Sequence, residues 1–144
     1  MKTIGVFNLI FHNEKVLLVK RRDIPFWDLP GGRKETDETP IIALLRETTE
    51  ETGLSVTPQR KVGHFYNATL ADEQIIFCSQ ISGGHWLTSG PETKELRFFS
   101  PRQLPLNLIP QRKKQIQLAL KQLPVQYCAI KDPWWVRIYK QLTH

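Results

Sequence analysis

GRKETDETPIIALLRETTEETGL, residues 32–54, decides how the rest of the chain is read. It resolves into a polar loop followed by a single helix. Thr39 or an earlier polar residue can cap that helix, Pro40 suits a first helical position because it has no amide hydrogen to leave unpaired, and Gly53 is a natural stop. The predicted helix therefore runs from Pro40 to Thr52. On it Glu47 lies three residues before Glu50 and four before Glu51, a spacing that puts all three carboxylates on neighbouring positions of one side. Like charges packed that closely repel and weaken a helix unless something positive sits among them. A bound divalent cation is the simplest answer.

The surrounding chain has 144 residues and a mass of 16.8 kDa, which fits one domain large enough to bury a core without disulfides or a structural metal. No apolar run approaches the ~20 residues needed to span a bilayer. The N-terminal MKTIGVFNLIFHNEKVLLVK lacks the uninterrupted apolar core and small-residue cleavage site of a signal peptide, so the sequence reads as cytoplasmic, with no membrane partner. Cys78 and Cys128 are too few and too isolated for a disulfide framework or a thiolate metal site and read as buried free thiols. The net charge of +6 and the pI near 9.5 suit a polyanionic partner. The cations are scattered, however: Lys20, Arg21 and Arg22 in one place, Arg112, Lys113 and Lys114 in another. Without a continuous basic stripe interleaved with aromatic stacking platforms, a small phosphorylated molecule is favoured over a nucleic acid.

Before the helix, residues 3–11 and 15–21 are apolar runs parted by His12-Asn13-Glu14, a predicted hairpin. Val16-Leu17-Leu18-Val19 has no polar alternation, which predicts a strand covered on both faces, as in a sheet held between helices. Trp27-Asp28-Leu29 forms a short extended piece before Gly31 and Gly32. After the helix, residues 54–66, 74–81 and 96–99 read as strands, with Ser82-Gly83-Gly84 as a turn. A second helix is predicted over residues 110–123, burying Ile116, Ala119, Leu120 and Leu123 and leaving Arg112, Lys113 and Lys121 to solvent. A third starts at Asp132-Pro133 and spaces Trp135, Ile138, Tyr139 and Leu142 along one side. We expect residues 124–144 to form an extension packed on a single domain of residues 1–144; a subunit interface is the alternative cover, so the chain is expected to be a monomer or a homodimer. Strands around a central helix with a helical C-terminal part predict a layered α/β domain with a mixed sheet.

Gly32, five residues, Glu38, seven residues, then Arg46-Glu47-x-x-Glu50-Glu51-x-Gly53-Leu54 resembles the full signature of the Nudix, or MutT-type, hydrolases. At roughly one in fifteen per fixed position, a chance match has a probability of about 10⁻⁸ per starting point. Thr48 is the one departure, standing where the family usually carries an aliphatic residue. Because it shares the helix side of Ile41, Leu45 and Thr52, it is expected to weaken a core contact and leave the carboxylates untouched. Trp27-Asp28-Leu29-Pro30-Gly31-Gly32 resembles the usual approach to the signature, and residues 96–105 resemble the stretch that often follows the last sheet strand.

The resemblance implies a Nudix-like α/β/α sandwich, a divalent metal, usually Mg²⁺ with Mn²⁺ as a possible substitute, and hydrolysis of a nucleoside diphosphate linked to another group. Chemically the pattern is apt. A pyrophosphate linkage repels a water nucleophile, so its hydrolysis needs cations on the phosphate oxygens and a base for the water, and magnesium prefers a few carboxylate oxygens shared with substrate phosphates. By resemblance Glu50 and Glu51 are the metal ligands, Glu47 binds metal or acts as general base, and Glu50 counts with Glu47 among the catalytic residues. Arg46 pairs with a signature glutamate, and Glu38 is structural or a more distant contributor. Glu92, six residues before Phe98, has the spacing of a further ligand or base in some members, with Glu95 a second candidate. Arg22 and Arg33 are candidates for phosphate, and Phe26 and Tyr66 for stacking on a base. The places of two subfamily markers, a proline for ADP-ribose hydrolases and a tyrosine for dinucleoside polyphosphate hydrolases, hold Thr69 and Leu70. Nucleoside triphosphates, modified ones included, are therefore the leading expectation, with sugar nucleotides and dinucleoside polyphosphates behind. A non-catalytic nucleotide-sensing domain is the rival; such modules usually have a degraded signature, and this one is intact.

Overall fold

A computed structural model describes residues 2–85, 87, 90 and 93–131. Glu92 and the third predicted helix, with Trp135, Ile138, Tyr139 and Leu142, lie outside the described residues. The strand β1 (Thr3–His12) is the centre of the fold. Asn13 and Glu14, at φ 50° and 64°, form a two-residue turn of the kind that suits the twist of a hairpin, and lead into β2 (Lys15–Arg21). β3 (Trp27–Asp28) pairs with β2, and β4 (Gly31–Arg33) returns antiparallel to β1.

The helix α1 (Pro40–Thr52) has the bounds its caps predict. Thr39 Oγ1 accepts from the Ile42 amide, and Gly53 sits at φ 76° with its amide donating to Thr49 O. Thr52, at the end of α1, also ties the helix to the next strand: its Oγ1 donates to Thr48 O at 2.6 Å and accepts from the Leu54 amide at 3.1 Å. β5 (Leu54–Asn67) and β6 (Asp72–Gly84) then form a long antiparallel hairpin. β6 returns parallel to β1, with Thr3 opposite Asp72 and Ile10 opposite Ser79. Ser82-Gly83-Gly84 is the end of β6 rather than a turn, because Gly83 and Gly84 pair with Ser55 and Leu54. β7 (Thr93–Phe99) pairs with β2, α2 (Arg112–Leu120) comes next, and β8 (Gln126–Ala129) adds a parallel strand beside β5. β4 and β8 were not foreseen.

The layers arise from the period-two alternation of the strands. Val6, Ile75 and Phe77 face α1 and pack on its Ala43 and Leu44. Leu9, Phe65 and Ile76 face the other way onto Ile116 and Ala119 of α2, giving an α/β/α arrangement with a mixed sheet. All of Val16, Leu17, Leu18 and Val19 are buried, as their unbroken apolar run requires. One face is covered differently from the expectation: Leu17 and Val19 pack on Ile10, Leu54, Val56 and Leu96, strand residues rather than a helix.

Two side-chain expectations are corrected. Ile41 and Leu45 are 38% and 37% exposed, so the buried side of α1 runs through Ala43, Leu44, Glu47 and Thr48. There Thr48 is fully buried and its hydroxyl accepts from Asn8 Nδ2 at 3.1 Å, a polar contact with β1 in place of the aliphatic one. On α2, Arg112 is 2% exposed while Leu120 and Leu123 are 52% and 41% exposed. α2 stops at Leu120, and in its last turn Ala119 O accepts from the Arg60 guanidinium.

Candidate active site

The approach loop and α1 meet at Gly32. An ideal Cβ there would lie 2.6 Å from Glu47 Cδ, so only a residue without a side chain lets the carboxylate come this close to the backbone. The adjacent Gly31 amide donates to Glu51 Oε2 at 3.3 Å. Pairing of β4 with β1 fixes this loop in place, Gly31 opposite Phe7 and Arg33 opposite Gly5.

Arg46 organises the outer side of the cluster. Its Nε and Nη2 grip Glu38 at 2.7 and 2.8 Å, Nη1 reaches Glu47 at 3.0 Å and Glu50 at 3.4 Å, and Nη2 also donates to Arg33 O. The expected pairing of Arg46 with a signature glutamate is thus present, and Glu38 is its principal partner. This bidentate bond, helped by the Glu35 amide, holds the Glu38 carboxyl at about 2, below its ordinary value. The Arg46 guanidinium is raised in turn, by Glu38 first and then Glu47, against the cost of burial.

Glu51 is in the opposite condition. Burial pushes its carboxyl well above the ordinary value, and the charge of Glu47 adds to the shift, while the Gly31 amide and, more weakly, the Arg21 charge oppose it. Two acidic groups therefore sit together, and the cation that pairs with Glu47, Arg46, is engaged chiefly by Glu38. Among the described residues no three acidic or imidazole groups close on a common point as a ready-made metal cage. The donors nonetheless fit a hard divalent cation: they are carboxylate oxygens, and the Glu47–Glu51 repulsion is what such an ion relieves.

These groups open onto a cleft of about 830 Å³, a size suited to a nucleotide. Glu47, Glu51, Arg22 and Arg33 line it. Arg22 is exposed and donates through Nε to Gly90 O at 2.8 Å; Arg33 is exposed too. Glu50 faces a shallower depression shared with Arg33, Lys34 and Arg46. Phe26 and Tyr66 are not brought to the cleft. Tyr66 alternates with the core residue Phe65 along β5, which turns its ring outward beneath the Lys2 ammonium. Glu95 pairs with Arg97 on β7.

The floor of the cleft holds a cluster that the sequence reading missed. Arg112 Nε donates to Asp28 Oδ1 at 2.5 Å, and Asp28 is also 3.4 Å from Arg21. Arg112 Nη1 donates to Gln74 Oε1 at 2.6 Å and Gln115 Oε1 at 3.0 Å, and its guanidinium lies 3.9 Å over the Phe7 ring. A signal was available: Arg112 stands four residues before Ile116 and seven before Ala119, on the buried side of α2.

An α/β/α sandwich whose helix α1 brings Glu47 and Glu51 to a nucleotide-sized cleft, with arginines among its lining, is the arrangement expected of a hydrolase of phosphoric anhydrides. The NUDIX domain profile matches residues 1–119, and the chain belongs to the Nudix hydrolase family. It is 42% identical over 117 residues to a putative 8-oxo-dGTP diphosphatase of Bacillus subtilis (strain 168), covering 81% of this chain and 78% of that protein. It is 36% identical over 110 residues to an ADP-ribose pyrophosphatase of Methanocaldococcus jannaschii, covering 71% of this chain and 64% of that one, so it spans a little under two thirds of the archaeal protein. Among solved structures, an ADP-ribose pyrophosphatase of Streptococcus suis superposes with a TM-score of 0.75 at 25% identity, over 90% of this chain and all of that one. Nudix hydrolases generally need a divalent metal. Among the described residues no helix is long and apolar enough to cross a membrane.

Proposed function

We propose that the chain hydrolyses nucleoside triphosphates, oxidised or otherwise modified ones included, with Mg²⁺ or Mn²⁺, by attack of water on phosphorus. The observation that carries this reading is the Glu47–Glu51 pair, desolvated and mutually repelling, at the mouth of a cleft whose exposed cations are Arg22 and Arg33. Glu50 and Glu51 would hold the metal, with Glu47 as a third ligand or as the base that takes the proton from the attacking water, and Glu92 as a further ligand or base. Bound there, the cation supplies charge neutralisation on the phosphate oxygens. Arg46 keeps Glu47 and Glu50 in place, and Arg22 and Arg33 receive the outer phosphates. The new P–O bond forms on one side of phosphorus as the bridging P–O bond breaks on the other, releasing phosphate or pyrophosphate.

The Bacillus relative supports a nucleoside triphosphate, while the archaeal and streptococcal proteins support ADP-ribose. Thr69, at the place of the proline that marks an ADP-ribose hydrolase subfamily, favours the triphosphate. Incubation with Mg²⁺ and a panel of nucleoside triphosphates, 8-oxo-dGTP, ADP-ribose and sugar nucleotides separates the readings. We expect phosphate or pyrophosphate release from triphosphates that EDTA abolishes. Tight binding without cleavage would instead support a nucleotide sensor.

A further inference from the structure

Arg112 has one guanidinium nitrogen to spare. The residue is 2% exposed yet lines the cleft. Nε is committed to Asp28 and Nη1 to Gln74 and Gln115, whereas Nη2 makes no hydrogen bond among the described residues. The stack on Phe7 fixes the plane of the group, and the three bonds fix its rotation within that plane. A guanidinium can only donate, so this is a preset donor awaiting an acceptor.

The kind of acceptor is set by charge. Asp28 already neutralises Arg112, and Arg21 lies on the other side of Asp28. A neutralised donor has little net charge to offer a phosphate, and the exposed Arg22 and Arg33 serve that need. It suits an uncharged carbonyl oxygen. We propose that Arg112 Nη2 reads the exocyclic carbonyl of a nucleobase, so that the cleft selects keto bases such as guanine, its 8-oxo derivative or hypoxanthine over the amino base adenine. An amino group at that place would set one donor against another and leave both buried and unpaired, which is where a polar pocket discriminates strongly. This inference rests on the triphosphate reading above.

The test compares kcat/KM for inosine triphosphate and ATP, which differ at the carbonyl or amino group on C6. Wild-type protein should prefer inosine triphosphate by about tenfold or more, the scale of one good base-reading contact. Arg112→Lys keeps a positive partner for Asp28 but cannot also supply a donor where Nη2 stands. The ratio should then fall towards one, with the melting temperature recorded in parallel. If Arg112→Lys does not fold, Gln74→Leu removes an acceptor that orients the guanidinium and should lower the same ratio. A residue that only braces the fold would slow both substrates alike, and an unchanged ratio in a folded variant overturns the proposal. Equal use of both nucleotides by wild-type protein overturns it while sparing the triphosphate reading. Cleavage of neither nucleotide overturns both.

Discussion

At the scale of single residues, the site sets opposite demands on two carboxyls. Glu51 is half-buried beside the charge of Glu47, and its carboxyl is raised; Glu38 has a cation of its own in Arg46 and is lowered. Glu50→Gln and Glu51→Gln should each lower kcat at least about 100-fold, the scale of losing a group that stabilises charge in the transition state, with melting temperatures kept. Wild-type kcat in both variants would remove them from the chemistry. For Glu38 the sign runs the other way on acidification. Its folded value of about 2 lies below the ordinary 4.5, so its contribution to stability is full above 4.5 and is lost as pH falls towards 2. Glu38→Gln should therefore flatten the stability profile between those limits in denaturant titrations, and an unaltered acid limb would deny the Arg46 pair any weight. The shared side of Glu47 and Glu51 was legible because a helix converts spacing into direction, whereas Glu50 faces a separate depression. Arg112 was not legible, because charge was taken as a mark of solvent exposure although its spacing from Ile116 placed it inside; Tyr66 was misplaced because an aromatic residue at a strand end has no spacing to orient it.

Among the elements, α1 was read correctly to its last residue, since both of its ends are written in local chemistry. Thr39→Ala should cost about 1 kcal/mol, the usual loss for a missing N-cap. Gly53→Ala should cost more, because φ 76° disfavours any side chain and an added Cβ would lie 2.0 Å from His85 O. Thermal or urea unfolding of the pair checks the ranking; an equal or smaller effect at Gly53 would mean the helix end relaxes freely. β4 and β8 escaped notice for a shared reason. Each is short, and what makes it a strand is a partner far off in the chain, β1 for one and β5 for the other. The end of β6 was mistaken for a turn because its glycines were weighed without the strand they pair with.

For the whole molecule, the fold class was legible from element order, while the seating of the cleft depended on non-local pairing. β1 joins the parts: β4 and the approach loop on one side, β6 on the other, α1 over one face and α2 over the opposite one. Thr3 Oγ1 donates to Asp72 Oδ1 across 69 positions of chain. During synthesis β1 thus leaves the ribosome well ahead of β6, the strand that satisfies its long edge. The β5–β6 hairpin, joined by a short local turn, is free to form first and receive β1 and α1 afterwards. Ribosome-bound chains halted before residue 72 should be cleaved readily by protease, and chains carrying all of β6 beyond the exit tunnel should be protected; early protection would show that β1 and α1 settle without it. The nascent chain would then emerge with its acidic helix made before the strand that anchors β1, leaving an interval in which the long edge of β1 is open to solvent.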